Sequence, residues 1–188
     1  MKISRSIAVL AFLLASVSTA HAQSRAMGSF AGFFTPFFGV TAGGEVTQAN
    51  LALGASVSVQ EQDGWGAELD FAHAGDTEAG RQVLDLTTYM VNASWIMPGG
   101  LIRPFGVAGG GIMQIDGCDA PCTRTARTYD FGVNAGGGVM ALLNDSIGVR
   151  GDVRYFFSSA DHVDLRRPDN FSFWRVSLGV TLMWAILP

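Results

Sequence analysis

Residues Ile147 to Ser158 read IGVRGDVRYFFS. Ile147, Val149, Val153, Tyr155 and Phe157 fall on one parity, and Arg150, Asp152 and Arg154 on the other. A period of two is the signature of a β-strand whose side chains point alternately to opposite faces. Three charges in a row on one face are too many for a soluble core and too regular for a loop. The fold turns on which face is inside.

The same alternation recurs along the chain. Segments Met27–Thr41, Asn50–Gln60, Gly64–Ala74, Val83–Met97, Leu101–Ile115, Thr128–Leu143, Ile147–Ser158 and Phe171–Trp184 read as strands, the first interrupted by Pro36. That is eight, each reaching the roughly 9–11 residues of a tilted membrane-spanning strand. Their connectors alternate in kind. EQDG (Glu61–Gly64), PGG (Pro98–Gly100) and NDS (Asn144–Ser146) read as tight turns. AGGEVTQ, GDTEAGRQ, DGCDAPCTRTAR and SADHVDLRRPDN read as longer polar loops. Short turns at one end and longer loops at the other are the organisation of outer-membrane barrels.

The N-terminus fits an exported chain. Lys2 and Arg5 precede the apolar run IAVLAFLLASV, and STAHA follows it. This is a signal peptide over residues 1–22, cut after Ala22; as a membrane anchor the run is shorter than the roughly 18–20 residues a spanning helix needs. Residues 23–188 then form one barrel domain. Of 12 Lys and Arg, two leave with the signal, so 10 arginines face 16 acidic residues, and nucleic acid is not expected as a partner. The chain is 48% hydrophobic yet has no further apolar run long enough for a transmembrane helix, which leaves a compact secreted β-protein or a membrane barrel.

The faces separate those two. Outward candidates are apolar: Trp65, Leu69 and Phe71 on the third segment, and Tyr129, Phe131, Val133, Val139, Ala141 and Leu143 on the sixth. Opposite them stand Glu68, Asp70, Asp130 and Asn134. An arginine facing mid-membrane lipid costs roughly 2–4 kcal/mol, so the charges belong in the interior, where acids and arginines pair. The expected lumen network is Glu68, Asp70, Asp130, Arg150, Asp152, Arg154 and Arg175. Since the third and seventh strands are not neighbours in an up-and-down order, their charges should meet across the lumen. Trp65, Trp95, Tyr155, Trp174 and Trp184 are the expected aromatic girdle. Trp174 and Trp184 are ten residues apart with one parity, a rise of about 25 Å on a tilted strand, close to the height of an outer-membrane apolar band.

The runs IRPFGVAGGGIMQ, YDFGVNAGGGVMALLNDSIGVRGDVRYFFS and FWRVSLGVTLMW resemble the last four strands of the small outer-membrane barrels, the OmpA-like transmembrane domains and the porin-family or opacity-type proteins. The resemblance implies an all-β, eight-stranded antiparallel up-and-down transmembrane barrel with periplasmic termini and four surface loops. It implies a monomer in contact with outer-membrane lipid, lipopolysaccharide and the barrel-insertion machinery, and a structural or surface role such as envelope integrity or adhesion. Chains of this kind commonly end on an aromatic residue, whereas Trp184 is followed by Ala185, Ile186, Leu187 and Pro188. No periplasmic peptidoglycan-binding domain is expected after the barrel.

Few motifs could carry chemistry. Cys118 and Cys122 form a C-x3-C pair in the third long loop; in an exported chain they read as a disulfide, the rival being half of a zinc site with no histidine near in sequence. Gly109–Gly111 and Gly136–Gly138 lack the Lys-Ser or Lys-Thr of a phosphate loop and sit inside strands, where glycine lets neighbouring groups approach closely. Ser158, Ser159, Asp161 and His162 are the one enzyme-like group, and some barrels of this size are lipid A-modifying acyl enzymes; polar loop tips have the same composition. His73 reads as a girdle or loop residue. No catalytic residue, metal or cofactor is expected. The alternative from another class is a soluble lipocalin-like barrel, which requires its apolar side chains inside.

Overall fold

The computed structural model describes residues 30–44, 46–79, 82–118, 125–159 and 170–186. The regular elements among them are eight strands: β1 (Phe30–Gly43), β2 (Val46–Gln60), β3 (Trp65–Ala79), β4 (Gln82–Ile96), β5 (Ile102–Cys118), β6 (Thr125–Leu142), β7 (Ile147–Ser159) and β8 (Asn170–Ile186). Each pairs antiparallel with the next, and β8 pairs with β1, so the sheet closes with no free edge. The expected signal peptide, residues 1–22, lies outside the described residues.

The register gives the barrel its dimensions. From Trp174 the opposed residues run through Tyr155, Ala135, Ala108, Ala93, Ala67, Val59 and Gly32, and the circuit returns to β8 at Trp184. The stagger on closing is therefore ten residues, the spacing of the two tryptophans. Ten residues are about 33 Å of strand, set against about 38 Å for eight strands side by side, which tilts the strands about 40°.

Sequence and ladder part company at three of the longer connectors; of DGCDAPCTRTAR, expected as a loop, residues 116–118 belong to β5 and 125–127 to β6. AGGEVTQ and GDTEAGRQ, expected as loops, lie mostly in strand: β1 runs to Gly43 and β2 starts at Val46, while β3 reaches Ala79 and β4 starts at Gln82. The strands thus continue beyond the apolar band. There the backbone still pairs, but the stretches are rich in glycine and polar residues and lack the alternation that marks a half-buried strand, although Val46 still packs in the lumen core. Pro36 sits inside β1 opposite Ala55 of β2; on its other side the β1–β8 pairing skips Thr35 and Pro36, as a residue without N–H requires.

The short turns follow their local chemistry. In Glu61–Gly64 the Gly64 N–H donates to the Glu61 carbonyl (3.0 Å), and Gly64 has φ of 91° with the Ile96 carbonyl where a Cβ would stand. In the turn after β6, Asn144 Oδ1 accepts the N–H groups of Ser146 (2.9 Å) and Ile147 (2.8 Å).

Candidate functional site, an ionic layer inside the barrel

The outward face over the middle of the strands is apolar, including Phe34, Phe38, Val57, Val91, Phe131, Val153, Val176, Leu178 and Val180, all exposed. The charges lie inside. Glu68, Asp70, Asp130, Arg150, Asp152, Arg154 and Arg175 are all buried. This is the reverse of the arrangement a lipocalin-like barrel requires.

Six of the seven meet in one cluster. Arg154 is its centre: Nη1 donates to Glu68 Oε1 (2.8 Å) and lies 3.3 Å from Asp70 Oδ2, while Nη2 donates to Asp152 Oδ2 (3.0 Å). Arg150 Nη1 reaches the other Glu68 oxygen at 2.7 Å. Arg175 Nη2 donates to both oxygens of Asp70, at 2.9 and 2.8 Å. Acids from β3 therefore bind arginines from β7 and β8 across the lumen. Arg154 and Arg175 stand directly opposite each other on adjacent strands, a repulsive placement that Asp70 relieves by lying against both. Three positive and three negative charges balance within the cluster. Asp130 is buried on the lumen face of β6, opposite Met113 and toward the outer end.

Neutral groups, which charge counting in the sequence passes over, complete the layer. Asn134 donates to Asn92 (2.7 Å), Asn92 to Glu68 (3.3 Å), and Ser177 to Asp152 (2.5 Å). The Arg150 guanidinium stacks 4.0 Å from the Phe105 ring centre, and that of Arg175 lies 4.7 Å from Phe37 and 5.0 Å from Phe156. Parity alone would have found Asn134, Ser177 and Phe156, which share a face with the charges of their strands; β1 has no charge, and the one charge of β4, Asp85, has the opposite parity to Asn92. The glycine clusters contribute space: a Cβ on Gly136 or Gly138 would strike the backbone and side chain of Arg154 or Asp152 opposite.

The lumen is not polar throughout. An apolar layer of Phe33, Ile96, Phe105, Val107 and Met140 closes it on the side of the short turns. A second layer, with Leu86, Met90, Met113, Ile115, Phe156 and Phe173, closes it on the loop side. An eight-stranded barrel is just wide enough to be filled by its own side chains, and these two layers fill it above and below the ions. Below the lower layer a vestibule of about 430 Å³ opens among the short turns, lined by Phe33, Gln60, Glu61, Arg103, Met183 and Trp184 among others.

Aromatic residues border the outward apolar surface. Trp65 and Trp95 are register partners at one end; Tyr155 and Trp174 pack at the other with ring centres 4.9 Å apart; Trp184 lies over Gly32 near the lower end of β8. Above the apolar surface of β3 to β6, two register rows turn polar: His73, Thr87, Gln114 and Tyr129, then Asp85, Asp116 and Arg127. His73 Nδ1 shares a hydrogen bond with Thr87 Oγ1 at 2.9 Å. Arg127 grips Asp116 with two bonds, 2.7 and 3.1 Å. Asp85 is ten residues above Trp95, a rise of about 25 Å along the barrel axis on a strand tilted about 40°, so this row stands at the upper border of the band.

Of the enzyme-like group, Ser158 is buried and donates to the Phe131 carbonyl at 3.1 Å. Asp161, His162 and Cys122 lie outside the described residues, so the Ser-His reading and the Cys118–Cys122 disulfide rest on the sequence.

Closed eight-strand topology, antiparallel order and an apolar outer surface define the fold of the small outer-membrane β-barrels. Among solved structures, Neisserial surface protein A is similar at 10% identity and a TM-score of 0.60, covering 83% of this chain and 99% of its own. The N-terminal barrel domain of Pseudomonas aeruginosa OprF matches at 16% identity and 0.60, covering 84% and 100%. Ail, the attachment invasion locus protein of Yersinia pestis, matches at 15% and 0.56, covering 84% and 100%, in a complex with the heparin analogue sucrose octasulfate. No family model matches the sequence, and no curated protein does.

Proposed function

We propose that this chain is a bacterial outer-membrane barrel with a structural or surface-interaction role, in envelope integrity or adhesion, acting through its long loops and not through its lumen. The observation that carries the reading is the combination of an apolar, aromatic-bordered exterior with an interior filled by an ionic layer between two apolar ones. Such a lumen leaves no path for solutes, so contact with a partner falls to the outer ends of the strands and the loops they carry. The names of Neisserial surface protein A and the attachment invasion locus protein agree with a surface role. The apolar band would face membrane lipid, and the polar rows at Gln114 and Asp116 would meet lipid headgroups, lipopolysaccharide in the outer leaflet. The chain would work as a monomer after delivery to the barrel-insertion machinery.

Topology is the test. An epitope inserted between residues 160 and 169 should be detected by antibody on intact cells, while the same epitope at 144–146 should be detected only after the outer membrane is opened. Detection of the second and protection of the first would reverse the orientation and remove the surface role.

A further inference from the structure

Seven of the eight strand pairs are consecutive in sequence, and each is tied by its own connector. The eighth, β1 with β8, joins the two ends of the barrel; Thr35 and Thr181, which meet there, are 146 residues apart. Bringing such distant residues together costs more chain entropy than closing any of the hairpins. Among the described residues this seam is also the one ladder broken in the body of the barrel. Its partners run from Phe30 and Ile186 to Phe34 and Leu182, then resume at Phe37 and Gly179, leaving out Thr35 and Pro36. Five of the other ladders are continuous, and β1–β2 and β3–β4 shift only toward their loop ends, at Thr41/Gly43 and Ala74/Thr77.

The break has a chemical cause. Pro36 has no N–H, and its carbonyl lies toward β8, against the place where a Cβ on Gly179 would stand. Counting along the register, Pro36 faces Val180, and the donor that would bind there is missing. Gly179 brings no side chain to cover the gap. A tie at this height stands on the lumen side, where the buried Thr35 and Thr181 hydroxyls share a hydrogen bond of 2.9 Å. Phe33 and Phe37, the lumen-facing residues on either side of Thr35, are buried as well, so a parting of the strands here is not a passage for solutes.

We propose that the β1–β8 seam is the line along which this barrel opens and closes, with Pro36 as its weak point and the Thr35–Thr181 hydrogen bond as its latch. Opening would part β1 from β8 while each stays paired to its other neighbour. The seam belongs to the barrel alone, so it stands or falls independently of the surface role.

Residue-resolved hydrogen exchange on the full chain refolded in detergent micelles tests this. Alternate residues of a strand donate to opposite neighbours. Leu178 and Leu182, in phase with Val180, therefore donate to β1, and Gly179 and Thr181 to β7. Seam opening should leave Leu178 and Leu182 with protection factors about tenfold or more below those of Gly179 and Thr181, whereas global unfolding would expose all four alike. Pro36→Ala, which restores the N–H, should narrow the difference, and Thr181→Val, which removes the latch and keeps the shape, should widen it. Equal protection of the two sets in the wild-type protein, or a difference that both variants leave unchanged, overturns the proposal. If a variant fails to fold, the wild-type comparison alone decides.

Discussion

Arg154→Ala should lower the stability of the barrel by roughly 3–5 kcal/mol, the cost of leaving partners of a buried ion pair uncompensated. Arg154 lies against three carboxylates and its side chain is 1% exposed. Truncation strands Asp152 and Asp70 with weakened partners and leaves Glu68 to Arg150. Arg127→Ala supplies the comparison. Its pair with Asp116 is as short, but the arginine side chain is 59% exposed, and exposed pairs contribute about 0–1 kcal/mol. The midpoint of heat-driven unfolding, followed by gel mobility in detergent, should drop markedly for the first variant and little for the second. Glu68→Ala combined with Arg154→Ala should cost less than the two single changes added, because each single change already breaks the shared contact. Equal tolerance of Arg154→Ala and Arg127→Ala would mean that the cluster does not act as a paired network.

The second large effect lies on the opposite face. Leu178 points outward near mid-height between Trp174 and Trp184. In a membrane barrel, Leu178→Arg places a guanidinium in hydrocarbon at a cost of roughly 2–4 kcal/mol, whereas Leu143→Arg, in the turn after β6, should be nearly neutral because the penalty falls to about 0–1 kcal/mol at the interface. The yield of folded, heat-modifiable barrel in lipid vesicles should fall for Leu178→Arg and hold for Leu143→Arg. A water-facing Leu178 would make its change to arginine harmless or favourable, and that outcome would argue for a soluble barrel.

The architecture was legible because two solvents impose one period. Wherever a strand separates lumen from exterior, each side chain must suit one of them, and the alternation in IGVRGDVRYFFS records that choice. The cross-lumen pairing followed from the same parity together with simple strand order. The strand ends at residues 42–48 and 75–82 were not legible, since their glycines and polar side chains do not alternate regularly with apolar ones. The apolar lumen layers were missed for a different reason. A rule that assigns polar residues to the interior overlooks Phe156, Met113 and Met140, which take lumen positions because a lumen this narrow is filled with side chains and not with water. In YFF, residues 155–157, adjacent aromatic residues cannot all face outward, so Phe156 was recoverable from sequence.

Fractionation of cells expressing the chain, followed by detergent electrophoresis with and without boiling, tests the central claim most directly. A closed barrel with an apolar exterior should sediment with the outer membrane and migrate at one apparent size unheated and at another after boiling, because a sheet without edges keeps its shape in detergent until heat opens it. Recovery from the soluble periplasm or the medium, with one mobility regardless of heating, would contradict the account.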